Sequence, residues 1–139
     1  MKPINVGLLG IGTVGSGTFK VLQRNSEEIS RRAGCSIRMT VVADKDTARA
    51  KSVVGDAARV TADANEVVSS PDVDIVVELI GGYGIAKELI LKAIANGKHV
   101  VTANKALLAL HGNEIFAAAR AKGVMVAFEA AVGGGIPII

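Results

Sequence analysis

Five short apolar runs, each followed by a turn residue and then by helical sequence or the end of the chain, constrain this chain more than any other feature. They are INVGLL (4–9), SIRMTVVA (36–43), DIVVELI (74–80), HVVTA (99–103) and VMVAFEAAV (124–132). They lack the sustained polar–apolar alternation of a strand with one wet face, so each reads as a strand buried on both faces. Strands of that kind alternating with helices imply an α/β fold: a doubly wound parallel sheet covered by helices on both faces.

Between the strands, the spacing predicts a helix from Thr13 to Arg32, with Val14, Phe19, Val21, Leu22 and Ile29 turned inward and Gly34 as its C-cap. DKDTARAKSVV reads as a shorter helix stopped near Gly55. In 58–73, Asp63 or Asn65 caps a single helical turn over Val67 and Val68, and Pro71 ends it. Residues 84–96 carry apolar positions at 85, 89, 90 and 94 and stop at Gly97, a helical pattern. Residues 104–122 read as helix with a break at His111-Gly112.

With 139 residues, 50% apolar and 21% charged, the chain forms one core, and residues 1–139 are taken as one domain. Aromatics are only 3%, too few for the stacking platforms of a single-stranded nucleic-acid binder. The net charge of +3 comes from residues 1–60, with ten Lys or Arg against five acids; residues 61–139 hold six against eight. Arg24, Arg31, Arg32 and Arg38 read as a solvated face, and no nucleic-acid partner is expected. Cys35 is the only cysteine, and neither His99 nor His111 has a Cys partner at ligand spacing. The start lacks signal-peptide features and no apolar run reaches ~18 residues, so a cytoplasmic, membrane-free protein is expected. The sequence ends in the apolar tetrapeptide IPII, which suggests the first domain of a longer polypeptide.

Gly10-x-Gly12-x-x-Gly15 follows the first strand and opens the first helix. Gly10 permits the tight turn, Gly12 admits a pyrophosphate to the backbone, and Gly15 allows close helix–strand packing, with phosphates at the positive helix end. Glycine turns also arise for steric reasons alone; the strand before and helix after favour a dinucleotide in a Rossmann-type domain. Asp44 ends the second strand, where an acid holds ribose hydroxyls and argues for NAD, although it lies 29 residues after Gly15 rather than ~20. Lys45 is a cation that suits the 2′-phosphate of NADP. An ordinary turn after the strand is the alternative for both residues.

Three further features fall at strand C-terminal ends, where open α/β sheets bind ligands. Ile80-Gly81-Gly82 leaves bare backbone for a flat ring or ribose. Lys105, in Thr102-Ala103-Asn104-Lys105, opens a helix where its charge opposes the helix dipole, which favours a functional cation over a decorative one. Glu129 precedes a glycine-rich turn whose carbonyls suit a hard cation, although a simple loop explains it too.

Taken in order, GLLGIGTVGSG, VVELIGG, GKHVVTANKALLA and FEAAVGGGIPII resemble the N-terminal cofactor domain of homoserine dehydrogenase, over residues 4–139. The resemblance implies NAD(P)-dependent interconversion of aspartate 4-semialdehyde and homoserine, in threonine and methionine biosynthesis. It implies that Gly12, Thr13 and Val14 lie along the cofactor phosphates and Gly81 near the nicotinamide. Lys105 would approach both nicotinamide and substrate as the catalytic lysine. Glu129 and the carbonyls of Val132, Gly134 and Ile136 would bind sodium. The family's substrate-binding acids and second lysine have no counterpart in these residues, and the full-length enzyme would be a homo-oligomer. The alternatives are the cofactor domain of another semialdehyde or dicarboxylate dehydrogenase, and a binding-only module that senses NAD(H).

Overall fold

The computed structural model describes residues 2–80 and 84–128. Its strands are β1 (Ile4–Leu9), β2 (Ile37–Ala43), β3 (Arg59–Thr61), β4 (Ile75–Glu78), β5 (His99–Thr102) and β6 (Val126–Ala127). The helices are α1 (Thr13–Arg24), α2 (Ser26–Ala33), α3 (Thr47–Val54), α4 (Ala64–Ser69), α5 (Gly84–Ala95) and α6 (Lys105–Lys122). The strands form one sheet in the order β3-β2-β1-β4-β5-β6, and every pair is parallel. The chain thus starts mid-sheet, winds to one edge, crosses back and winds to the other, the Rossmann-type strand order of a doubly wound parallel sheet; the apolar runs anticipate the sheet and its parallel pairing. The reversal falls between β1 and β4, so their C-terminal ends open a crevice.

Two cores lie on the two faces. One joins Val6, Leu8 and Val42 to Phe19 of α1 and to Ala50 and Val54 of α3. The other joins Leu9, Val76 and Val100 to residues of α4, α5 and α6. Gly7 lets α4 close on the sheet, since a Cβ there would stand 2.5 Å from the Val67 side chain. Among the described residues no helix is long and apolar enough to cross a membrane.

The helix foreseen over Thr13–Arg32 is two helices, divided at Asn25 (φ −106°, ψ 22°). Asn25 donates to the Val21 carbonyl from both its backbone amide and its side chain, the local competition that makes Asn a poor helix-interior residue. α2 buries nothing, and its Arg31 and Arg32 both pair with Glu28, so these arginines form a solvated face. Val14 and Val21 are exposed rather than inward. The buried stripe runs instead through Ile11, Gly15 and Phe19, and its middle member has no side chain to reveal it.

β3 is a strand the sequence pattern does not announce: three residues, only one of them aliphatic, at the sheet edge. Asp63, not Asn65, caps α4, and its carboxylate accepts the Asn65 amide at 2.9 Å. α6 runs unbroken through His111 and Gly112, and Gly112 is among its buried residues.

Candidate cofactor crevice

Three glycines shape the turn between β1 and α1, each for a different reason. Gly10 has φ +98°, a region that disfavours side chains, and a Cβ there would press on the Leu79 carbonyl at 3.0 Å. At Gly15 a Cβ would fall 2.1 Å from the Gly10 carbonyl oxygen, so α1 reaches the turn only because that side chain is missing. Gly12 differs from both: a Cβ there would meet nothing within 4 Å. The fold itself does not require glycine at this position.

Gly12 is also the N-cap of α1, with no side-chain cap and no acid in the first turn. Thr13 and Val14 are exposed beside it. The positive end of the helix therefore faces open space, an arrangement that fits an anionic pyrophosphate.

Asp44 stands next to this turn at the end of β2. Its Oδ2 accepts the Ile11 amide at 2.8 Å and its Oδ1 accepts the Asp46 amide at 2.8 Å. The Arg49 guanidinium lies 3.3 Å from Oδ2. Burial alone would raise the Asp44 pKa, but the two amides and Arg49 outweigh it and hold the carboxyl below its ordinary value. A depressed pKa stabilises the fold above the unfolded value and is lost as pH falls through the folded one. Asp44→Asn should therefore melt lower than the unsubstituted chain at pH 7, and the gap should close below about pH 4. Melting curves from pH 7 to pH 3 check this, and a constant gap would show that the charge of Asp44 does not act.

Beyond β1, the next strand ends bring up the remaining candidates. Ile80 is partly exposed where the chain leaves β4, whereas Gly81 lies outside the described residues. Lys105 is exposed at the first position of α6, directly after Asn104, whose Oδ1 caps the helix by accepting the Leu107 amide at 3.1 Å. The ends of β2, β1, β4 and β5 are consecutive in the sheet. Asp44, the glycine turn, Ile80 and Lys105 thus follow, in that order, strands that lie about 4.8 Å apart.

Residues 10–129 match the family model described as homoserine dehydrogenase, NAD binding domain. The chain belongs to this family. It is 63% identical over its whole length to a homoserine dehydrogenase of Pseudomonas aeruginosa and 59% identical to one of Neisseria gonorrhoeae. It spans 32% of the length of each of these curated relatives. A crystal structure of a homoserine dehydrogenase from Thiobacillus denitrificans superposes with a TM-score of 0.90 at 61% identity, covering 94% of this chain and 30% of that one.

Within this NAD-binding family, the structure brings Gly10, Gly12, Thr13, Val14, Gly15 and Asp44 to one end of the sheet, with Lys105 two strands away. Lys45 is exposed and makes no ion pair among the described residues; the cation paired with Asp44 is Arg49. Arg49 escapes a search for a residue adjacent to Asp44, because α3 returns it one helical turn later. The proposed sodium ligands Glu129, Val132, Gly134 and Ile136 lie outside the described residues. A concavity of about 520 Å³ lies elsewhere, lined by Phe19, Met39, Arg38, Lys51 and Arg59 at the opposite end of β2. It holds none of the fingerprint residues.

Proposed function

We propose that this chain is the cofactor domain at the start of a longer homoserine dehydrogenase that interconverts aspartate 4-semialdehyde and homoserine. The open space at Gly12 against the uncapped positive end of α1 supports the cofactor part of the reading, and the match to homoserine dehydrogenases over the chain supports the substrate part. The nicotinamide, when bound, supplies the hydride chemistry. The residues of this chain do the rest: amides at Gly12, Thr13 and Val14 take the phosphates, Asp44 takes ribose hydroxyls, and Gly81 leaves room for the ring. Lys105 presents a cation to the substrate oxygen. A sodium ion held by Glu129 and the carbonyls of Val132, Gly134 and Ile136, a homo-oligomer and a cytoplasmic setting complete the proposal, and these rest on the sequence.

The chain alone is expected to bind NADH and to oxidise no homoserine, because one wall of the substrate cleft is proposed to lie in later sequence. A misplacement of ~1 Å already costs on the order of a hundredfold. Absorbance at 340 nm, with the complete polypeptide as control, tests this; comparable turnover by the chain alone would overturn it.

Both cofactors should bind within about tenfold of each other. Asp44 repels a 2′-phosphate, whereas the solvent-facing Lys45 and Arg49 attract it, and charges screened by solvent act by only ~1 kcal/mol each. Parallel NADH and NADPH titrations at fixed ionic strength check this, and a hundredfold gap would show that one charge dominates.

A further inference from the structure

At the crevice end of the sheet, β4 and β5 carry a fully buried acid. Glu78 has no exposed surface, and its Cα pairs in register with Thr102. Glu78 Oε2 accepts the Ile80 amide at 2.9 Å, at the point where the chain leaves β4. Its Oε1 accepts the Thr102 hydroxyl at 2.6 Å. The same hydroxyl oxygen accepts the Asn104 amide at 3.0 Å, and Asn104 in turn caps α6 through the Leu107 amide. Thr102 and Asn104 are buried as well. Four hydrogen bonds thus run from Ile80 to the helical turn that begins with Lys105.

We propose that Glu78, Thr102 and Asn104 form a positioning relay that sets the first turn of α6, and with it Lys105, relative to Ile80 at the end of β4. The proposal rests on the homoserine dehydrogenase reading for the role of Lys105. A buried carboxyl group is an expensive anchor unless all its bonds are made, and here both oxygens are engaged. Bonds in such a dry site are strong and directional, so they fix geometry where the exposed lysine alone has none. The Thr102 hydroxyl is the joint: it donates to one side and accepts from the other.

The test uses the complete polypeptide with Thr102→Val, which keeps the shape and removes the hydroxyl, and Thr102→Ser, which keeps the hydroxyl. Amide hydrogen exchange at Asn104 and Leu107 should be at least about tenfold faster in T102V and within about threefold of the unsubstituted protein in T102S. For homoserine oxidation, kcat should fall on the order of tenfold or more in T102V, with NADH affinity within about threefold, and T102S should restore it. T102V added to Lys105→Ala should then cost nothing beyond K105A itself, because the relay acts through that lysine. Unchanged exchange in T102V, equal impairment by T102S, or additive losses in the double variant would each overturn the relay. An unsubstituted polypeptide that binds NADH but never oxidises homoserine would instead remove the homoserine dehydrogenase reading, and the exchange rates would still decide the relay.

Discussion

A Gly12→Val variant is expected to melt within about 2 °C of the unsubstituted chain yet to bind NADH at least a hundredfold more weakly, a loss of about 2.7 kcal/mol. A Cβ at Gly12 would meet nothing within 4 Å outside its own chain neighbours and would project into the space assigned to the pyrophosphate, so the fold is expected to be spared and the ligand not. Gly15→Ala provides the contrast. Its Cβ would stand 2.1 Å from the Gly10 carbonyl oxygen, and backbone must move to relieve it. That variant should lose several kcal/mol of stability together with binding, at the large end of single-substitution effects, ~4 kcal/mol. Thermal melts beside NADH fluorescence titrations separate the two outcomes. Binding retained in the valine variant would show that the phosphates do not lie against Gly12.

Removing the amine of Lys105 should have the largest effect on turnover. Lys105→Ala in the complete polypeptide is expected to lower kcat for homoserine oxidation by on the order of a thousandfold, the scale of a positioned acid–base group, with NADH affinity within about threefold. Lys105→Arg refines the assignment, because arginine keeps the charge and does not give up a proton. If the lysine acts by charge alone, the arginine variant recovers much of the rate; if it moves the hydroxyl proton, arginine is as poor as alanine. A kcat within threefold of the unsubstituted enzyme in K105A would take Lys105 out of the chemistry.

How much of this was legible depended on whether a residue's role leaves a trace in its own neighbourhood. The central strands did, because a parallel sheet covered on both sides needs aliphatic side chains on both faces, as Leu8 and Leu9 show by packing into the two separate cores; β5 departs from the expectation of burial on both faces, since Val100 is buried and Val101 is exposed. The glycine turn did, because its spacing is set by backbone geometry. The inward face of α1 did not: its stripe passes through Gly15, and a pattern of apolar residues selects Val14 and Val21 instead, which are exposed. β3 left too little sequence to register, since an edge strand of three residues needs only one ladder. Glu78 was hidden for the opposite reason. An acid inside DIVVELI looks like an interruption of an apolar run, and only the register of β4 with β5 shows that Thr102 awaits it.

The bond from the Ile11 amide to Asp44 bears on any attempt to redesign cofactor choice. The carboxylate expected to read the ribose is also the one that fastens the glycine turn to the end of β2. Exchanging Asp44 for alanine or a basic residue, the obvious move toward a phosphorylated ribose, would remove the acceptor of that amide, leave the Gly10 amide's bond to the Ala43 carbonyl to tie the turn to β2, and loosen the platform on which either cofactor is to sit. Affinity for both would then drop before any preference could emerge. Selectivity is better sought at Lys45, which is exposed next to Asp44 and makes no ion pair among the described residues, whereas Arg49 pairs with the Asp44 oxygen that holds the turn.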